Sequence, residues 1–158
     1  MRLLLAASLF ILFTACSDDE TPAPSDFTGT IWVGPTVTFS KAAGGDPELE
    51  SNQDRISPSV WLTRGNEGGQ IFNANLESEY DKNESPRGTR WARGTLASVE
   101  SLEFKKFREA VIEPKTVVGQ DLVLYLVEED TYVSVKFTSG INRKTVDFLT
   151  NDHLKINN

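Results

Sequence analysis

Residues 122–138 constrain this chain more than any other stretch. Leu122 to Val127 form an unbroken apolar run. Thr131 to Thr138 then alternate, with Val133, Val135 and Phe137 on one face and Tyr132, Ser134 and Lys136 on the other. Alternation of period two is the mark of a strand, whose successive side chains point to opposite faces. The apolar run reads as a strand buried on both faces or nearly so. Glu128, Glu129 and Asp130 form a polar turn between them, so the pair predicts a β-hairpin. The turn lacks Asn-Gly, which predicts a loop of three or more residues.

Shorter runs upstream follow the same pattern. Thr36 to Ser40 alternate with Val37 and Phe39 on one face. Val60 to Thr63 follow the breaker Ser57-Pro58, and Gly68-Gly69 lead into Gln70 to Asn73. Helix signals are scarce after residue 26, and Gly, Pro, Asn and Asp punctuate the text every few residues. Ser101 to Ala110 is the ambiguous segment, because Leu102, Phe104 and Phe107 fit a strand or a helix face; a strand from Leu102 is expected. The whole predicts an all-β fold, an antiparallel β-sandwich or jelly-roll-like single domain over residues 27–158.

That domain holds its core without staples. Cys16 is the only cysteine among 158 residues, so no intrachain disulfide forms. A domain of this size buries roughly two-thirds of its unfolded surface, enough for a self-sufficient core.

The N-terminus has a different grammar. Arg2 supplies one positive charge and Leu3 to Phe13 are almost wholly apolar. The run is shorter than the roughly 20 residues a bilayer span needs, and its layout is that of a secretory signal. Leu12, Phe13, Thr14, Ala15 and Cys16 resemble the bacterial lipobox, with Phe13 in the place of the usual aliphatic residue. The resemblance implies that residues 1–15 are a signal peptide cut after Ala15. It implies a diacylglycerol on the Cys16 sulfur and an acylated amine, and therefore a bacterial lipoprotein. Two or more acyl chains hold a protein stably on a membrane where one does not. Ser17, Asp18, Asp19 and Glu20 resemble the acidic signal that sends some lipoproteins to the outer face of the outer membrane. A periplasm-facing location, with these residues as a solvated spacer, is the alternative. Pro22 and Pro24 favour extended chain, so residues 16–26 read as a lipidated N-terminus and tether.

The body of the chain resembles an uncharacterised β-rich module of secreted and cell-surface bacterial proteins. The resemblance rests on Ile31 to Pro35, Phe39 to Lys41, Asn52 to Ile56, Val60 to Gly65, Thr89 to Thr95, Val118 to Asp121 and Tyr132 to Ser139. It covers roughly residues 28–139. Beyond Ser139 the chain departs from the module's glycine-rich, aromatic closing strand. The resemblance implies a secreted β-domain and no particular activity.

Charge narrows the partners. The formal net charge is −7, and loss of Arg2 with the signal takes it to −8. Phosphate backbones repel such a surface, so no nucleic-acid partner is expected. His153 is the only histidine and lies in a polar tail, a poor setting for a catalytic triad. With Cys16 lipidated, zinc lacks its usual nitrogen and sulfur ligands. Residues 44–54 gather oxygen donors, and Asp46, Glu48, Glu50 and Asp54, with Asn52 between them, are the calcium candidates. They lack EF-hand spacing, and a solvated acidic loop is the default. Asn52, Asp54 and Arg55 are candidates for a ligand contact or, preferably, for closing that loop through an Arg–carboxylate pair. Glu128, Glu129 and Asp130 sit on one convex turn rather than across a cleft, which argues against a glycosidase. Trp32, Trp61 and Trp91 are expected in the core rather than on a sugar-stacking platform. No catalytic residues are expected, and no cofactor beyond the lipid. The expected function is a non-catalytic binding or adhesion domain for glycan or an envelope protein. An accessory lipoprotein of an envelope complex and a carboxylate-dependent hydrolase are the alternatives.

Overall fold

The computed structural model describes residues 27–66, 70–139 and 146–151. Its strands, in chain order, are β1 (Thr30–Ile31), β2 (Thr36–Lys41), β3 (Asp54–Arg55), β4 (Trp61–Arg64) and β5 (Ile71–Asn73). They continue with β6 (Thr89–Arg93), β7 (Asp121–Leu126), β8 (Thr131–Phe137) and β9 (Val146–Asn151). One short helix, α1 (Phe107–Val111), lies between β6 and β7. Three 3₁₀ turns complete the described elements. The fold is all-β, as the strand-and-turn text predicts.

The hairpin β7–β8 organises the rest. Leu122 pairs with Val135 and Leu124 with Val133 on the inner face, while Tyr125 pairs with Tyr132 on the outer face. The intervening loop is residues 127–130, and Asp130 takes a left-handed conformation (φ 46°) to close it. A type I′ Asn-Gly turn is absent, so the longer loop supplies the reversal. β6, β7, β8 and β9 follow one another as antiparallel neighbours, and β2 adds beyond β9. β1 joins the other end of the same β8 edge in the parallel sense, with Thr30 opposite Thr131 and Ile31 opposite Tyr132. β3, β4 and β5 form a second, antiparallel sheet.

Both sheets and α1 bury one core. Ile56, Leu62 and Ile71 come from the small sheet and its flank, Phe107 and Val111 from α1, and Trp91, Leu124, Val135 and Phe137 from the large sheet. The Trp91 ring meets Phe107 edge-on at 5.0 Å between centroids. Its indole N–H donates to Thr89 Oγ1 at 3.0 Å, so the one polar atom of a fully buried ring is satisfied. Trp32 and Trp61 are half-buried, and Trp32 packs against the same core.

The strand expected from Leu102 reduces to a single bridge. Lys105 exchanges two backbone bonds with Trp91 (2.8 and 2.9 Å), and the chain then turns into α1. The reason is that Phe104 and Phe107 serve opposite sides of the sheet. Phe104 packs on Tyr125 and Tyr132 outside, whereas Phe107 enters the core. Arg93 sits at the inner edge, where it donates Nε to Ala110 O at 2.9 Å and Nη2 to Val111 O. A cation on the last carbonyls of a helix is stabilising there. β9 is inserted between β8 and β2, so β2 forms that edge of the sheet.

Candidate functional site

The acidic loop is a closed clasp. Asp46 Oδ1 accepts the Glu48 N–H at 2.9 Å, and Asn52 Nδ2 donates to Asp46 O at 2.8 Å. Gln53 Nε2 donates to Pro47 O and Glu48 O, while Gln53 Oε1 accepts both Nε and Nη2 of Arg55. Arg55 Nη1 then meets Glu50 Oε1 at 3.0 Å, and its guanidinium lies 4.1 Å over the Trp61 ring. Thus Asn52 and Arg55 both tie the loop down, and Asp54 is buried in β3. Gln53 is the hub; it lies in the Asn52–Arg55 run read as loop-closing, but a glutamine in a polar run carries no signal of its own burial.

These contacts disperse the oxygen donors. Among the described residues no three His, Cys, Asp or Glu side chains are grouped to hold a metal ion. Asp46 also faces a cation already. Lys41, buried at the end of β2, has its ammonium pKa lowered by burial and by the charge of Arg64, and Asp46 partly restores it. Burial likewise lowers the Arg64 guanidinium pKa.

A second loop, residues 74–88, is braced far more tightly. Its two ends are joined by Asn73, which is fully buried. Asn73 Oδ1 accepts Trp61 N–H (2.9 Å) and Asn75 N–H (3.1 Å), while Nδ2 donates to Ser59 O (2.8 Å) and Arg87 O (2.9 Å). Its amide thereby uses every donor and acceptor it has. One oxygen of Glu77 accepts the backbone N–H of both Asn73 and Arg87 at 2.9 Å. Gln70 Nε2 reaches up to Asp81 O and Glu84 O, Lys106 pairs with Glu84 at 2.7 Å, and Ser85 Oγ accepts the Phe107 N–H. A compact loop with joined ends on a rigid scaffold is a common carrier of binding residues.

Between this loop and the start of β6 lies an open cleft of about 620 Å³, lined by Leu76, Glu79, Asp81, Arg87 and Arg90 among others. Tyr80, 40% exposed, lines a separate shallow depression with Glu79, Asp81 and Lys82. The walls of the cleft offer hydrogen-bond acceptors, donors and a small apolar floor. Two of the lining hydroxyls are engaged: Ser85 as above, and Thr89 as donor to Pro86 O and acceptor from Trp91. The arrangement suits recognition of a polar ligand. Of the cleft residues only Thr89 and Arg90 fall in a run the sequence singles out, and Leu76, Glu79, Asp81 and Arg87 carry no motif or spacing.

The predicted acidic turn is also committed to structure. Ser59 Oγ donates to Glu129 Oε1 at 2.7 Å, and Tyr125 OH donates to Asp130 Oδ1 at 3.0 Å. Tyr125 and Tyr132 stack at 4.6 Å on the outer face, with Phe104 and Phe27 packed around them. Burial raises both phenol pKa values above the usual 10. Asp130 raises them further, by hydrogen bond and charge at Tyr125 and by charge at Tyr132. The folded state thus holds these protons more tightly than the unfolded chain. Its extra stability is complete below pH 10 and is lost as pH rises through the folded-state values. Tyrosinate absorbance should therefore develop late in alkaline titration, and the Tyr125→Phe, Tyr132→Phe double variant should lose this part of the alkaline sensitivity. Ordinary titration of both phenols would contradict the packing.

Cys16, Ser17, Asp18, Asp19, Glu20 and His153 lie outside the described residues. No helix among the described residues is long and apolar enough to cross a membrane. No family model matches the chain, and comparisons with curated proteins and with solved structures find no match.

Proposed function

We propose that this chain is an exported lipoprotein, anchored to the outer membrane by lipid on Cys16 and facing the cell exterior, whose β-domain is a non-catalytic binding module. The anchor rests on the lipobox-like Leu12 to Cys16, and the outward orientation on the acidic run Ser17 to Glu20. The binding role rests on one observation: the backbone of residues 74–88 is braced from below by Asn73, Glu77 and Gln70, while Glu79, Asp81, Arg87 and Arg90 are exposed around a cleft. Polar side chains of both signs, carried on a braced backbone, match a polyhydroxylated ligand such as a glycan, which both donates and accepts.

The test is a glycan array probed with the purified domain and with an Arg87→Ala, Glu79→Gln variant. Each charge-assisted hydrogen bond is worth about 1.5–3 kcal/mol, so binding should fall at least about tenfold. Both side chains are exposed, so the unfolding midpoint should stay within the small range expected of surface changes. Equal binding by variant and wild type, or no glycan bound by wild type, would remove the cleft from the account.

A further inference from the structure

The outer face of the large sheet carries an apolar strip that the cleft does not use. Phe27, Phe104, Tyr125 and Tyr132 form its centre. Ile31, 38% exposed, lies opposite Tyr132, and Val33, 84% exposed, follows it. Ile31 and Val33 thus carry the half-buried ring cluster out to solvent as one apolar strip. The chain itself enters the domain at this strip. Phe27 packs on Tyr132 at 5.1 Å. Gly29 lies so close to the ring that a Cβ would fall 2.3 Å from Tyr132 Cε2. Thr30 N–H and Trp32 N–H then bond to Asp130 O and Tyr132 O at 2.8 and 2.9 Å. The entry point is therefore fixed against the strip.

Ten residues separate Cys16 from Phe27, a reach of at most about 36–40 Å when fully extended. We propose that the strip formed by Phe27, Ile31, Val33, Tyr125 and Tyr132 rests on the lipid surface that holds Cys16. The inference depends on the lipoprotein reading above. Short tethering keeps the strip at high effective concentration near the bilayer. Tyrosines with an apolar ring and a polar tip suit the membrane–water boundary. The tether then limits the distance from the membrane, and the strip sets the orientation of the domain.

The experiment uses the mature protein purified from membranes, carrying Val33→Cys or Ile112→Cys. Ile112 is 73% exposed and ends the helix on the opposite side of the sheet. A lipidated Cys16 has no free thiol, so each variant should titrate with one thiol and accept one environment-sensitive dye. On reconstitution into vesicles of phosphatidylethanolamine and phosphatidylglycerol, the dye at 33 should shift to the blue and brighten, and the dye at 112 should not. No shift at 33, or equal shifts at both positions, overturns the membrane contact while leaving the anchor intact. A shift at 33 that already appears in detergent and grows with protein concentration assigns the strip to a second copy and also overturns it. Two thiols per variant overturn the lipoprotein reading itself, and the contact with it.

Discussion

Replacing Asn73 by alanine should cost about 3–5 kcal/mol of stability, a large share of the 5–15 kcal/mol typical of a domain. The side chain is fully buried and makes four hydrogen bonds, to Trp61 N, Asn75 N, Ser59 O and Arg87 O. Truncation strands those backbone groups, at about 1–3 kcal/mol for each one left without a partner or water. Asn73→Asp separates hydrogen bonding from volume. It keeps the acceptor but turns an oxygen toward two carbonyls, so at neutral pH it should be no milder than alanine. Its defect should ease as acid protonates the new carboxyl. Urea unfolding followed by circular dichroism reads both variants. A loss below about 1 kcal/mol in Asn73→Ala would mean that the 74–88 loop is not braced from Asn73.

Trp91→Ala should be of similar size, about 3–5 kcal/mol, by the usual cost of emptying a large aromatic site in a packed core. The ring has no exposed surface, meets Phe107 at 5.0 Å and Phe137 at 6.5 Å between centroids, and faces Leu124 across β6 and β7. Trp91→Phe should cost less. The apolar contacts largely persist, and Thr89 Oγ1 still donates to Pro86 O at 2.6 Å after losing the indole N–H. A mild Trp91→Ala would place the joint of the two sheets elsewhere, since Trp91 links α1 to the hairpin.

These two residues differ in how visible they are in the sequence. Trp91 sits in a β-rich run and is legible as core. So is the β7–β8 hairpin, because Val133, Val135 and Phe137 alternate and burial on one face enforces that pattern. Asn73 is different. It ends a short apolar run and looks like the polar end of a strand, while its partners Ser59 and Arg87 each lie 14 residues away. No periodicity encodes such a bracket. Phe104 and Phe107 misled for a related reason: a spacing of three fits either element, and only the packing of both sheet faces decides between them. The parallel pairing of β1 depends on a long-range contact with β8 and left no local trace. The cleft is least legible, since exposed Glu79, Asp81 and Arg87 look like any solvated surface. The lipobox-like segment is the converse case, since its reading rests on the residue types of Leu12 to Cys16 alone.

The central claim, an acylated domain displayed outside the cell, is tested most directly by feeding labelled palmitate to cells making wild type or Cys16→Ala and then treating intact cells with protease. The account predicts that wild type takes up label and is shaved from whole cells, and that Cys16→Ala is unlabelled and leaves the membrane fraction. Label with full protection from protease would place the domain in the periplasm and reduce Ser17 to Glu20 to a spacer. Wild type without label would contradict the account at its base.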